Sequence, residues 1–222
     1  MTQSILVKPH RAGFDNSVQQ SLADVSSALL ADADSRVACL GTPIRPFGGK
    51  LSFVGTAVTI GSGSMAQWKS LDLSKPGQVL VIASGGRRDR AEFGAIFVEL
   101  ARRRGVAAIV TDGLLRDSAE IGRMNLAVFA CGTHPFSPRD DTQGRIGMPE
   151  ALLGVTINTG DLLVGDDDGI AVIPAAVASA VRAIVPKQHQ REARLLEALE
   201  TPGGLLPERI VDALAAIPII ES

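Results

Sequence analysis

The run TDGLLRDSAEI, residues 111–121, holds the side chains best suited to chemistry: Arg116 and Asp117 stand side by side behind Asp112 and Gly113. Arg116 offers the planar donor fork that pairs with a carboxylate, and Asp117 the hard oxygen that Mg²⁺ or Mn²⁺ prefers. A small 2-oxo acid answers both, because one carboxylate oxygen and the neighbouring keto oxygen can chelate the cation while Arg116 neutralises the remaining charge. The cation then stabilises an enolate beside the keto carbon, which retro-aldol cleavage and β-decarboxylation both require. By spacing alone, the same pair also reads as a solvated ion pair worth under about 1 kcal/mol.

Other candidates are weaker. GGRRDR, residues 85–90, has glycines and arginines for a phosphate but lacks the GKS/T ending of a P-loop, so it reads first as a flexible turn. DDDG at 166–169 lacks the later acidic positions of a calcium loop and reads as a β-turn. His10, His134 and His189 are scattered, with no HxxxH pair, although His134 in CGTHPFSPR is placed to face a cleft. Ser62 and Ser64 do not form a GxSxG elbow. Cys39 and Cys131 lack CxxC spacing and read as buried thiols in a reducing compartment.

The elements around the Arg-Asp pair place it. KPGQVLVIASGG contains a continuously apolar run, Val79–Ala83, between turn signals, as expected of a strand buried on both faces. AEFGAIFVELARRRG follows, with Phe93, Ile96, Phe97 and Leu100 at helical spacing, Glu99, Arg102 and Arg103 off that stripe, and Gly105 as the cap. VAAIV is then a second buried strand, so residues 78–110 make a β-α-β unit with parallel strands. TDGLLRD therefore leaves the carboxyl end of a parallel strand, where open α/β sheets bind ligands. The helix opening at Gly94 faces the same edge. There the amides of Gly94, Ala95, Ile96 and Phe97 favour a carboxylate or phosphate, and Gly94 permits close approach.

Elsewhere, Val18–Ala33 reads as one amphipathic helix, SFVGTAVTI as a strand, LAVFACG as a short strand, and GVTINTGDLLVGDDDGIAVIP as a three-stranded meander. AAVASAVRAIV and KQHQREARLLEALE read as two helices on either side of Pro186, followed by the short segment LPERIVDALAAIPII. The expected class is α/β, a central sheet with a parallel βαβ unit flanked by helices. Residues 1–185 form one domain and 186–222 a helical tail suited to subunit contacts or to docking on its own domain.

Composition narrows the partners. With 22 basic against 24 acidic residues, a net charge of −2 and few aromatics, the chain lacks both the electrostatic grip and the stacking surface that nucleic acid requires. No stretch approaches the roughly 20 apolar residues of a membrane span, and the amino terminus lacks a signal-peptide core. A soluble cytoplasmic protein is expected.

VGTAVTI, the glycine pair followed by a helix opening at Gly94, RGVAAIVTDGLLRD, VFACGTHPFSP and GDLLVGDDDGIAVIP together resemble the RraA-like family from about Val54 to Pro174. That family includes 4-hydroxy-4-methyl-2-oxoglutarate aldolases, oxaloacetate decarboxylases and the regulator of ribonuclease E activity. The resemblance implies a fold similar to phosphohistidine swivelling domains, assembled as homotrimers or homohexamers with sites near subunit boundaries. It also implies that the amides of Gly94, Ala95, Ile96 and Phe97 bind the pyruvoyl carboxylate, that Arg116 binds substrate and that Asp117 holds Mg²⁺ or Mn²⁺. Glu192 or Glu197 is the tail carboxylate that would orient metal-bound water in a neighbouring subunit. Family aldolases tend to carry an acid just after the helix-start glycine, where this chain has Ala95, and loss of such a group typically weakens metal binding or activity about 10-fold to 100-fold. The non-catalytic regulator lacks the Asp of the RD pair. Its presence here favours a metal-dependent lyase acting on a 4-hydroxy-2-oxo acid, with a regulator that binds a ribonuclease or other protein as the alternative.

Overall fold

The computed structural model describes residues 5–8, 16–61, 63–137, 144–199, 212 and 215–218. The chain opens with β1 (Leu6–Val7), α1 (Asn16–Ser21), α2 (Ser27–Ala33), β2 (Ala38–Leu40), β3 (Arg45–Pro46) and β4 (Phe53–Ile60). The α/β half follows as α3 (Ser64–Leu73), β5 (Gln78–Ile82), β6 (Ala91–Phe93), α4 (Ala95–Arg103), β7 (Ala108–Thr111), β8 (Leu114–Leu115), α5 (Ser118–Ile121) and β9 (Ala127–Ala130). Last come β10 (Arg145–Ile146), β11 (Glu150–Leu152), β12 (Val155–Ile157), β13 (Leu162–Asp166), β14 (Gly169–Ile173) and α6 (Ala178–Leu199).

The main sheet runs β2-β14-β13-β4-β5-β7-β9-β3, with β10 beside β4 and β1 beside β10. Strands β4, β5, β7 and β9 are mutually parallel, while β13 on β4, β14 on β13, β2 on β14 and β3 on β9 pair antiparallel. Every residue of β5, β7 and β9 is buried, as continuous apolar runs in a parallel sheet require. One face of this half packs Leu80, Ile82, Ile109 and Val128 against α3, α4 and α5. The opposite face gathers Val79, Val81, Val110 and Phe129 with Leu163, Ile170 and Val172 of the antiparallel half, so the sheet curls onto itself. Helices α1, α2 and α6 cover the outer face of β13 and β14 through Leu22, Leu30, Val181 and Val185.

Several expectations are corrected. Val18–Ala33 is two helices, because Ser26 caps α2 by accepting the Leu29 N–H at 3.1 Å, a role serine favours over a helix interior. The meander is half right: β13 and β14 form the hairpin, but β12 pairs with β11 in a separate ribbon. The two helices around Pro186 are one continuous α6. The ring removes one i→i−4 bond, yet Val181 and Val185 anchor the turns before it in the core. The apolar stripe of α4 is rotated, with Ala95, Phe97, Val98 and Ala101 buried while Ile96 is 72% exposed, since Phe93 belongs to β6. Cys39 is exposed and Cys131 half-buried; Cys39 alternates outward on β2, an edge strand whose Leu40 points inward. Helix α3 was not anticipated, because it starts on Gly63 without a side-chain cap and lacks an apolar stripe. His10, Ser62 and most of LPERIVDALAAIPII lie outside the described residues. Among the described residues, no helix is long and apolar enough to cross a membrane.

Candidate functional site

The small parallel ribbon of β6 and β8 carries the Arg-Asp pair to the start of α4. The Arg116 N–H donates to the Phe93 carbonyl at 3.0 Å and the Leu115 N–H to Gly132 at 3.0 Å, fixing the loop on both flanks. Asp117 then turns left-handed at φ 60° and ψ 35°, a conformation Asp tolerates because its short polar side chain bonds locally.

The turn aims the carboxylate across the ribbon: Asp117 Oδ2 accepts the Ala95 N–H at 3.1 Å. A distant carboxylate thus takes one of the orphan donors at the α4 start, where the helix dipole favours negative charge. The first intrahelical bond runs from the Val98 N–H to Gly94 at 3.3 Å, so the amides of Ala95, Ile96 and Phe97 all precede it. Arg116 Nε lies 3.7 Å from Asp117 Oδ2, with the side chains 43% and 40% exposed. A pair this open stabilises the fold by under about 1 kcal/mol.

Gly94 is the floor of the arrangement. A Cβ added there would meet Arg116 Cγ at 2.9 Å and Arg116 Nε at 3.0 Å, and would come closer still to Asp117 Oδ2. Only a residue without a side chain lets both groups lie against the backbone. Sequence-predicted residues Gly94, Ala95, Arg116 and Asp117 are therefore brought together, while Phe97 is buried against Phe93 and Trp68 and Ile96 contributes an exposed side chain beside the helix start. The Ala95 methyl is 6% exposed and belongs to the apolar core.

The other candidates resolve differently. At the start of GGRRDR the N–H groups of Gly86 and of the preceding Ser84 donate to Asp112 at 2.9 and 2.6 Å, so a buried carboxylate already occupies the Gly86 amide. DDDG is the β13–β14 turn, and Asp166 accepts from Ser27 N, Ser27 Oγ and Asp168 N at 2.7, 2.7 and 3.1 Å. His134 Nδ1 accepts the Phe136 N–H at 3.1 Å within its own loop. Burial pushes the Cys131 thiol pKa up, with the Arg88 guanidinium opposing it, which keeps the thiol in its protonated, weakly nucleophilic form. Glu192 and Glu197 are exposed on α6. Asp112, Glu92 and Gln67 went unrecognised; the available signal was the acid of AEFG, two residues before the helix-start glycine.

Residues 22–172 match the family model described as Aldolase/RraA. The chain is 33% identical over 153 residues to a Halalkalibacterium halodurans protein named "Putative 4-hydroxy-4-methyl-2-oxoglutarate aldolase", covering 68% of this chain and 73% of that one. An uncharacterized protein from Pseudomonas syringae pv. tomato superposes with a TM-score of 0.76 at 27% identity, over 85% of this chain and 94% of its own. Streptomyces coelicolor RraAS2, described as an unusual member of the RNase ES inhibitor RraA protein family, gives a TM-score of 0.73 at 26% identity, over 82% and 97%.

Proposed function

Because the chain belongs to the Aldolase/RraA family, we propose that it is a divalent-metal-dependent lyase releasing pyruvate from a 4-hydroxy-2-oxo acid, with oxaloacetate decarboxylation as a related activity. One observation carries this reading: Arg116 and Asp117 converge on the α4 start over Gly94, with Asp117 Oδ2 on the Ala95 N–H. That contact supports a helix start that accepts carboxylates.

In this reading the substrate carboxylate takes the helix-start amides in exchange for Asp117, one anion replacing another, so the charge at the helix end is conserved. Arg116, anchored through its backbone to Phe93, pairs with the substrate through its guanidinium. The released Asp117 carboxylate is the hard oxygen that would hold Mg²⁺ or Mn²⁺. Among the described residues no group of three His, Cys, Asp or Glu lies together, so Asp117 would be the protein's carboxylate ligand and substrate and water would supply the rest, an arrangement common for Mg²⁺. When bound, the cation supplies Lewis-acid polarisation of the keto group. A trimer or hexamer would let Glu192 or Glu197 reach a neighbouring site from α6.

The test is pyruvate release from a 4-hydroxy-2-oxo acid and from oxaloacetate, with Mg²⁺ or Mn²⁺ and with chelator. Asp117→Asn keeps the left-handed turn and an acceptor for the Ala95 N–H but removes the charge. Activity that needs metal and falls at least about 100-fold in this variant is expected. No pyruvate from either acid, or an unchanged rate in Asp117→Asn, defeats the reading.

A further inference from the structure

The loop after β9 adds a third lane to the ribbon that carries the Arg-Asp pair. The Leu115 N–H donates to the Gly132 carbonyl at 3.0 Å and the Leu115 carbonyl accepts the His134 N–H at 2.9 Å, which pairs Leu115 with Thr133 in parallel. On the other edge of β8, the Arg116 N–H donates to the Phe93 carbonyl at 3.0 Å. The peptides Phe93–Gly94, Leu115–Arg116 and Thr133–His134 are therefore bonded side by side, and Gly94, Arg116 and His134 stand in one row across the three lanes.

Residues in such a row project to one face of the ribbon, and two contacts identify that face. A Cβ on Gly94 would meet Arg116 Cγ at 2.9 Å. A Cβ on Gly132, two residues before His134, would meet Leu114 Cδ2, two residues before Arg116, at 3.2 Å. His134 thus projects to the face of Arg116 and the Gly94 floor. Two lane spacings separate it from Gly94, about 10 Å, and Arg116 leans over Gly94 through Cγ and Nε, which leaves the far end of the row to His134.

The ring is oriented by its own loop, which closes back on β6 where the Ala91 N–H donates to the Phe136 carbonyl at 2.7 Å. His134 Nδ1 lies 3.1 Å from the Phe136 nitrogen and 3.4 Å from the Phe136 carbonyl oxygen. The shorter contact makes Nδ1 the acceptor, so the neutral ring carries its proton on Nε2. One nitrogen fixes the imidazole and the other is a donor.

We propose that the His134 Nε2–H binds the oxygen on C4 of a 2-oxo acid whose carboxylate sits at Arg116 and the α4 start. In a 4-hydroxy-2-oxo acid that oxygen is the hydroxyl that leaves as the carbonyl of the departing half. A five-carbon chain with a hydrogen bond at each end spans about 10 Å, the width of the row. His134 then selects for acids that carry an oxygen on C4. The proposal rests on the 2-oxo-acid reading of the site but not on turnover.

The test is calorimetric titration of the full chain, at fixed free Mg²⁺, by 2,4-dioxopentanoate, which carries an oxygen on C4 but is not an aldol, and by 2-oxopentanoate, which lacks that oxygen. Wild type is expected to bind the first about fivefold or more tightly. His134→Asn keeps an acceptor for the Phe136 N–H but ends short of the Nε2 position, and should weaken the dioxo acid about fivefold to tenfold without moving 2-oxopentanoate. His134→Gln carries an N–H to the Nε2 position and should recover part of the loss. No binding of either acid, a ratio that His134→Asn leaves unchanged, parallel weakening of both acids, or recovery by Asn and not by Gln overturns the proposal. If the ratio moves as expected but no pyruvate is released from any 4-hydroxy-2-oxo acid, the binding assignment stands and the lyase reading falls; if pyruvate is released and the ratio does not move, the lyase reading stands and the assignment of His134 falls.

Discussion

Replacing Gly94 by alanine tests the site without straining the backbone, since Gly94 has an extended φ of −140° that any residue adopts. The added Cβ would sit 2.9 Å from Arg116 Cγ, where ordinary contact begins near 3.4 Å, so Arg116 must withdraw by about 0.5 Å and Asp117 by more. Both side chains are two-fifths exposed and can yield. The cost to stability is then chiefly that of alanine in place of glycine at a helix N-cap, about 1 kcal/mol, or a melting shift of about 2–4 °C for a chain of this size. Catalysis is less forgiving: misplacement on the ångström scale costs about 100-fold in rate, or about 2.7 kcal/mol of transition-state stabilisation. Coupled pyruvate-release kinetics at saturating Mg²⁺, read beside a thermal melt, separate the two effects. A kcat/KM within threefold of wild type would refute the placement of substrate at Arg116 and the α4 start.

Arg116→Lys keeps the charge but loses the planar fork, so KM for the 2-oxo acid should rise about tenfold with the melting temperature unchanged, by steady-state kinetics and a melt. Asp166→Ala strands three donors, two of which tie the β13–β14 hairpin to Ser27 of α2, and should cost about 2–3 kcal/mol in urea unfolding. Arg102 and Arg103 hold the Glu99 carboxyl at about 2, below its ordinary 4.5. Its contribution is therefore complete above pH 4.5 and disappears as pH falls through about 2; Glu99→Gln should flatten the stability profile over that window, as melts between pH 2 and 5 would show.

How much of this was legible follows from which interactions are local. Buried parallel strands announce themselves as continuous apolar runs, so β5, β7 and β9 and the helix start at Gly94 were readable, and with them the edge on which Arg116 and Asp117 meet the helix. The α4 stripe was misread because an i, i+3, i+4, i+7 count cannot see that Phe93 ends strand β6 and that the helix begins only after Gly94. The register of β12 escaped for a related reason: its pairing with β11 is set by which apolar face closes the curled sheet, through Leu152 and Ile157. Asp112 and Glu92 went unrecognised because their partners, Ser84, Gly86, Arg87 and Gln67, approach from other elements of the chain, and burial rather than spacing gives such carboxylates their meaning.

Family aldolases tend to carry an acid after the helix-start glycine, where this chain has Ala95, and the structure changes what that difference means. The Ala95 side chain packs into the core with Phe93 and Phe97, so position 95 offers the site its amide and not its side chain. The negative charge at this helix end comes from Asp117 instead, across the ribbon. A carboxylate at 95 would be both buried and beside a like charge, and each condition disfavours ionisation. Glu92, two residues before Gly94 in β6, does not replace it: its buried carboxylate is taken by Gln67 and Arg87 and its side chain lies against Gly113.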